Sequence, residues 1–290
     1  MSRDNKEVWT IGRILKWTEQ YFGGKGVESP RLEAEVLLSH VLRKQRIYLY
    51  VHFEEPLEQE ELASYRELIK KRVSHVPTAY LLGKKEFMGL DFKVSPDVLV
   101  PRPDTEILVQ AAAERLRAME APLRFADIGT GSGAICLSVL SFVPGAVAET
   151  VDISPEARAV AEENAAALGL AERVTFHTGD LLAPLTGEFT AILSNPPYIP
   201  RKDMETLQAE VRLSEPHQAL CGGEDGLDFY RRLCAEGPGL LAENGFMAFE
   251  VGQGQAQAVS ELAVANPLIG RTEILKDLAE IERVVIAYRK

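Results

Sequence analysis

The sequence predicts an α/β protein, a doubly wound sheet preceded by a small N-terminal helical bundle, and three observations predict it. Strand and helix patterns alternate from Arg124 to the end, as a parallel sheet with crossover helices requires. A glycine-rich turn, Asp127-Ile-Gly-Thr-Gly-Ser-Gly133, sits where the first strand of that series gives way to its first helix. Residues 8–82 carry helical spacing throughout.

In chain order, Ile11, Ile14, Leu15 and Thr18 share one helical face that ends near Gly23-Gly24. Ser29 is placed to cap a second helix with Pro30 at its first position, followed by Leu32, Val36, Leu37, His40 and Val41. Glu58 to Val73 forms a third, with Leu62, Tyr65, Leu68 and Ile69 on one side. Residues 1–82 hold no evident chemistry, so they are expected to be a helical substrate-recognition domain. Phe87, Leu90, Phe92 and Val94, with Gly89 at a turn, suggest a hairpin linker over 83–100. The proline-stiffened run from Val98 to Glu106 leads into a helix, Ile107 to Met119, and residues 101–290 form the second domain. Its expected strands are Arg124–Ile128, Ala146–Asp152, Val174–His177, Phe189–Ser194, Gly245–Val251, Thr272–Leu275 and Val284–Tyr288. Helices fit between most of them, notably Pro155–Leu168 and Leu227–Leu241.

The 290 residues, 46% hydrophobic and 26% charged, suit a soluble globular chain able to bury a core. No apolar run reaches the length of a membrane span, and the start lacks the apolar stretch of a signal peptide. Cys136, Cys221 and Cys234 have no metal-ligand spacing and are expected as buried side chains in a reducing cytoplasm. No metal site is expected. Residues 1–82 hold 13 Lys+Arg against 12 Asp+Glu, so nearly all of the formal net charge of −11 falls on the rest. A surface that grips a phosphate backbone must be basic, so the acidic second domain speaks against free DNA or RNA as its direct substrate.

The most informative four residues are Asn195-Pro196-Pro197-Tyr198, directly after the apolar strand Phe189–Ser194. Two prolines remove two backbone donors and push the residue before each out of the helical region. The loop is therefore stiff, with the Asn195 side chain and the neighbouring carbonyls held in place beside the Tyr198 ring. Fixed acceptors and an aromatic lid suit a planar group carrying an NH2, whether an amide or an exocyclic base amine. A plain strand-exit turn is the other account of the same residues.

Gly129, Thr130, Gly131, Ser132 and Gly133 form a Gly-x-Gly-x-Gly turn, which lets backbone approach a ligand but lacks the dinucleotide spacing. Alone it is as well explained by a tight turn. Asp152, at the end of the second strand, is positioned to accept hydrogen bonds from two ribose hydroxyls. Asp180 and the backbone N–H of Leu181 follow the third strand, placed to contact an adenine edge; a loop carboxylate capping the next segment is the alternative for Asp180. These groups and Asn195 share one crevice at the carboxyl ends of the strands, where open α/β sheets bind ligands. No Walker lysine follows the glycines. A nucleoside bearing an amino-acid tail suits the crevice better than NAD, and S-adenosyl-L-methionine, leaving as S-adenosyl-L-homocysteine, is the expected cofactor.

With these residues in view, the chain resembles a class I (Rossmann-like) methyltransferase of the release factor glutamine methyltransferase family. The matching pieces are Val100-Pro-Arg-Pro-Asp-Thr-Glu106, Asp127 to Ala134, Asp152-Ile-Ser154, Asn164, Gly179-Asp180 and Asn195 to Ile199. They continue through Glu210-Val-Arg212, Glu215-Pro216, Gly222-Gly223, Asp225-Gly226-Leu227, Glu250-Val-Gly252 and Arg283-Val284. Asn-Pro-Pro-Tyr is shared with adenine amino-methyltransferases, whereas the segment before the glycine turn is far more specific. One departure is Asp277-Leu-Ala-Glu280, where the family more often has Asp-Leu-Ala-Gly; the stretch is expected to be peripheral.

The resemblance implies a cytoplasmic enzyme, expected as a monomer, that methylates the side-chain amide nitrogen of the glutamine in the Gly-Gly-Gln motif of class I peptide chain release factors. Asn195 Oδ1 and the Pro196 carbonyl would accept the two amide N–H groups, Pro197 would stiffen the loop, and Tyr198 would cover the amide plane. Arg102 and Glu106 are candidates for the methionine end of the pocket or for structure. Glu210, Arg212 and Glu215 are expected as a solvated ion-pair network, and Glu250 as a group closing the crevice. A transferase acting on adenine in nucleic acid or on a ribosomal protein glutamine, and a cofactor-binding subunit without catalysis, are the alternatives.

Overall fold

The computed structural model describes residues 8–290, which cluster into two units. The first holds the described residues up to Gly83 together with 209–214. Its helices are α1 (Ile11–Gly24), α2 (Pro30–Leu42), α3 (Arg46–Val51), α4 (Gln59–Val73) and α5 (Thr78–Leu82). They close over Leu15, Phe22, Leu37, Leu38, Leu49 and Tyr65, all nearly inaccessible, and the Tyr65 hydroxyl donates to the Ala34 carbonyl at 2.9 Å.

The capping expectation for α2 does not hold. Ser29 has left-handed backbone (φ 48°) and makes no side-chain cap bond, because a capping side chain needs the extended geometry that this residue lacks. Nor does the expected face: Leu32 is 44% exposed while Glu35 is buried. Glu35 accepts from Arg31 Nε (2.5 Å), Arg46 Nη2 (2.7 Å) and the Tyr50 hydroxyl (2.5 Å). Counting apolar positions does not find a carboxylate buried by its own partners.

The second unit spans 84–208 and 215–290. The hairpin β1 (Lys84–Phe87) and β2 (Leu90–Lys93) leads to α6 (Thr105–Arg117), β3 (Leu123–Ile128), α7 (Ala134–Phe142) and β4 (Ala146–Asp152). Then come α8 (Pro155–Ala167), β5 (Val174–Thr178) and β6 (Phe189–Ser194). The chain contributes α9 (Ala209–Ser214) to the first unit and returns for α10 (Asp228–Glu236), β7 (Leu241–Glu250), α11 (Ala256–Val264), β8 (Ile269–Lys276) and β9 (Glu282–Arg289).

The unit boundaries differ from those along the sequence in two places. The hairpin is part of the second unit: Phe87 and Phe92, rings 6.1 Å apart edge to face, are buried in one core with α6 and α7. Residues 209–214 belong with the helical bundle. Local patterning reveals that a segment buries a face, and not against which unit.

Seven strands form one sheet in the order β5-β4-β3-β6-β7-β9-β8, parallel from β5 to β7, with β9 antiparallel to both its neighbours. The chain steps outward from β3 to β5, then crosses to β6 on the other side of β3, which makes the β3–β6 boundary the switch point of a doubly wound sheet. Side chains alternate between two cores: Phe125, Leu193, Ala248 and Ile286 face one, with α6 and α7, and Ala126, Ile192, Phe249 and Val285 face the other, with α10 and α11. The helix expected over Leu227–Leu241 stops at Glu236, and Gly237–Leu240 is a 3-10 turn before β7. Pro238 with glycines on both sides ends the helix there.

Candidate active site

At the end of β3, the Gly129 and Thr130 N–H groups donate to the Val151 carbonyl (2.8 and 3.3 Å), tying the glycine turn to β4. Gly129, Gly131 and Gly133 all have positive φ (78°, 54° and 81°), which a side chain resists. Their surroundings differ. A Cβ on Gly129 or Gly131 would meet nothing within 4 Å, whereas on Gly133 it would stand 2.9 Å from Leu137 Cδ1. The first two leave open space; the third lets α7 pack.

Asp152 closes β4, and its Oδ2 accepts from Gly131 N (2.8 Å) while Oδ1 accepts from Ser154 N (2.9 Å). Both oxygens keep lone pairs for further donors. Beneath the turn, the buried Asp127 accepts from Cys136 N at 3.1 Å, and desolvation holds its carboxyl well above the usual carboxylate range. Asn164 Nδ2 donates to the Ser132 carbonyl (2.8 Å) and the Lys93 carbonyl (3.0 Å). A residue of α8 thus anchors the turn to the hairpin.

The strand ends open on a cleft with an empty volume of about 1240 Å³, mouth included. Gly129, Thr130, Gly131, Ser132, Asp152, Asp180, Leu181, Asn195, Pro196 and Pro197 all line it, so most of the candidate residues converge. Gly133 stands behind the turn. Tyr198 is also absent from the lining: its ring packs beside Gly252, where a Cβ would come within 3.0 Å of Cδ2, and Gln255 Nε2 donates to its carbonyl at 2.9 Å. The bare backbone of Gly252 admits the ring from behind. Burial pushes the Tyr198 phenol up to about 12. Residues that sequence reasoning did not place in the cleft include Ile153, 62% exposed, and Phe229. Neither belongs to a pattern of apolar burial that would have marked it.

Asn195 Nδ2 donates to Thr105 Oγ1, at the start of α6, across 3.3 Å. The carboxyl of Glu250, the last residue of β7, lies behind this pair; the residue is 2% exposed and its Oε2 is buried with no partner among the described residues. Burial pushes that carboxyl up to about 7. The Asn195 NH2 thus has one bond, to the start of α6, while the residue lines the cleft.

Asp180 is held by an arginine absent from the sequence candidates. Arg232 of α10 binds it in bidentate fashion (2.9 and 2.8 Å) and draws its carboxyl below the usual value. Leu181 beside it has φ 49°, a strained geometry for a bulky residue of the kind that gathers at functional sites.

The network expected of Glu210, Arg212 and Glu215 is not a solvated one at Glu215. The Glu215 side chain is 1% exposed and bonded by Arg102 Nη2 at 2.6 and 2.7 Å. Glu210 instead pairs, within the first unit, with the buried Arg72 (2.8 Å). Arg102 lines the cleft; Glu106 does not. The Asp277 stretch is not merely peripheral. Asp277 Oδ2 accepts from Arg283 (2.9 Å), which reaches Asp104 at 3.1 Å, one residue before Thr105. Glu280 within that stretch takes φ 62°.

The donor set suits S-adenosyl-L-methionine: a turn without side chains at Gly129 and Gly131, a buried Thr130 hydroxyl with no partner, and an acid at the end of β4. The model of the methyltransferase small domain matches residues 103–223. A solved methyltransferase from Pyrococcus furiosus shares the fold, with a TM-score of 0.52 at 18% identity over 78% of this chain and 97% of that one. Fold and site together define an S-adenosyl-L-methionine-dependent methyltransferase of the class I architecture. The model of the PrmC N-terminal domain matches residues 13–83. Two curated relatives are each named release factor glutamine methyltransferase: one from Moorella thermoacetica, 48% identical over 97% of this chain and 99% of its own length, and one from Geobacter sulfurreducens, 47% identical over 88% and 89%. The chain belongs to the release factor glutamine methyltransferase family.

Proposed function

We propose that this enzyme transfers a methyl group from S-adenosyl-L-methionine to the side-chain amide nitrogen of the glutamine in the Gly-Gly-Gln motif of class I release factors. The observation that carries the proposal is Asn195, its NH2 held by Thr105 at 3.3 Å and its side chain at the edge of the same cleft as the glycine turn. When bound, S-adenosyl-L-methionine supplies an electrophilic methyl on a sulfonium.

Gly129 to Ser132 hold the cofactor against bare backbone, with Gly133 supporting the turn through α7. Asp152 accepts from the ribose hydroxyls, and Asp180, steadied by Arg232, works with the Leu181 N–H at the base. Asn195 Oδ1 and the Pro196 carbonyl accept the two N–H bonds of the glutamine amide. An amide nitrogen is a poor nucleophile because its lone pair is delocalised, so alignment and fixed acceptors carry most of the work. Alignment alone lowers barriers by up to about 7–11 kcal/mol in the best cases, and acceptors fixed by prolines need little reorganisation. An N-alkylated amide cation is very acidic, so no tuned general base is required. Tyr198 acts from behind, wedged against Gly252, and keeps the loop in register.

The cleft is lined by residues of one unit of one chain, which supports action as a monomer. Action on release factors supports a cytoplasmic location, and residues 8–83 together with α9 are assigned to recognition of the release factor. Among the described residues no helix is long and apolar enough to cross a membrane. The test is methyl transfer from labelled S-adenosyl-L-methionine to a purified class I release factor, with Gln→Ala in its Gly-Gly-Gln as control. Label on the wild-type factor only, lost with Asn195→Ala, is the expected result; label on a ribosomal protein or DNA instead would overturn the substrate.

A further inference from the structure

A loop with two consecutive prolines is placed by whatever holds its ends, because φ is fixed at Pro196 and Pro197 and few dihedrals remain free. At the near end the Ser194 hydroxyl, closing β6, donates to the Ile128 carbonyl of β3 at 2.6 Å. At the far end Ile199 N donates to the Leu220 carbonyl (3.0 Å), and the Ile199 carbonyl accepts from Gly222 N (2.9 Å). Between these anchors the Tyr198 carbonyl is held by a side chain. Gln255, which precedes α11, donates from Nε2 to that carbonyl at 2.9 Å and to the Gly226 carbonyl at 3.4 Å. Its Oε1 accepts from Gly252 N at 3.0 Å. One end of the amide faces a donor and the other faces two acceptors, so its sense is fixed. We propose that Gln255 is a positioning residue: it sets the Tyr198 carbonyl and, through the two prolines, the Pro196 carbonyl and Asn195. The inference rests on the assignment of those two groups as acceptors of the glutamine amide.

Three glycines make room for this bracket. A Cβ on Gly226 would stand 2.2 Å from the Tyr198 oxygen and 2.6 Å from Gln255 Nε2. On Gly252 it would stand 2.7 Å from Gln255 Oε1, and on Gly222 2.6 Å from the Pro197 oxygen and 2.8 Å from Tyr198 Cα. Gly226 has positive φ (79°) as well; at Gly222 and Gly252 close approach alone excludes a side chain. None of the three lines the cleft. They converge instead on the exit of the acceptor loop, which gives the glycines of 222–226 and 250–252 a shared role. No backbone N–H among the described residues serves the Tyr198 oxygen, so without Gln255 the carbonyl must shift to find a donor. Both ends of the loop then cease to be held, and the acceptors between them move with it.

Two substitutions and two readouts test this. Gln255→Glu keeps the shape and the acceptor for Gly252 N but, at about pH 8 where the new carboxyl is ionised, turns an acceptor toward the Tyr198 carbonyl. Gln255→Met keeps the length and makes neither bond. Hydrogen exchange read by mass spectrometry needs no turnover. Both variants are expected to speed exchange at the Ile199 and Arg201 amides, bonded to Leu220 and Gly223, and to leave the glycine turn at the wild-type rate. Transfer to the release factor is read as kcat per cofactor-binding site. Both variants should lower kcat ~10- to 100-fold and leave the Kd for S-adenosyl-L-methionine unchanged, a split that a general loss of structure would not produce. Wild-type exchange and kcat in Gln255→Glu would overturn the proposal, whatever Gln255→Met does, because the bond to Gly252 alone would then carry the role. Faster loop exchange in both variants, with a wild-type enzyme inactive on release factors, would overturn the substrate alone.

Discussion

Asn164 Nδ2 donates to the carbonyl of Ser132 across 2.8 Å, tying α8 to the glycine turn. The same side chain accepts from Lys93 N (2.7 Å) and is 2% exposed. Asn164→Ala would strand buried backbone groups at about 1–3 kcal/mol each. The variant is expected to lose roughly 2–4 kcal/mol in urea unfolding and to bind S-adenosyl-L-methionine at least tenfold more weakly by calorimetry. An unchanged Kd would show that the turn holds its shape without α8.

Gly131 and Gly133 share positive φ but not surroundings. Gly133→Ala meets Leu137 and adds left-handed strain of about 1–2 kcal/mol, so its main effect is expected on thermal stability. Gly131→Ala carries the same strain but has an open side, so it should melt higher than Gly133→Ala and lose more cofactor affinity. Melting curves with and without S-adenosyl-L-methionine separate the two, and equal losses in both quantities would refute the distinction.

Glu250 also sets a pH dependence of stability. Its carboxyl is raised from 4.5 to about 7, so the protonated form is favoured by folding. That contribution is fully present below about pH 4.5 and lost as pH rises through about 7, a change of roughly 3 kcal/mol. Asp127 is raised in the same sense by burial, so the comparison between variant and wild type isolates Glu250. Glu250→Gln is expected to be more stable than wild type at pH 8 and close to it at pH 4.5. Equal urea midpoints at pH 8 would contradict the buried charge. Ionised Glu250 would thus cost stability above neutral pH.

Glu280→Gly relieves a left-handed backbone (φ 62°) worth about 1–2 kcal/mol, against about 0.4–1 kcal/mol of added unfolded-chain entropy. The exposed Lys276–Glu280 pair (3.4 Å) contributes little. A net stability gain of up to about 1 kcal/mol is expected, seen as a higher melting temperature with activity unchanged; a lower melting temperature would mean that the turn at Asp277 depends on the glutamate.

What the chain's own order of residues determined is the set of strand ends and the chemistry carried at each. A turn of three glycines, an acid closing β4 and two prolines after Asn195 are constraints between consecutive residues, through positive φ, missing N–H groups and missing side chains, so they are legible without a fold. The tertiary structure alone decided which partners stand behind them. Thr105 reaches Asn195 across 90 positions, Arg232 reaches Asp180 across 52 and Arg102 reaches Glu215 across 113. It also turned Tyr198 away from the cleft, because a glycine of the strand-exit turn beyond β7 left room for the ring. Such pairings depend on which strand lies beside which, a property of the sheet order, and no local pattern of hydrophobicity or charge encodes it.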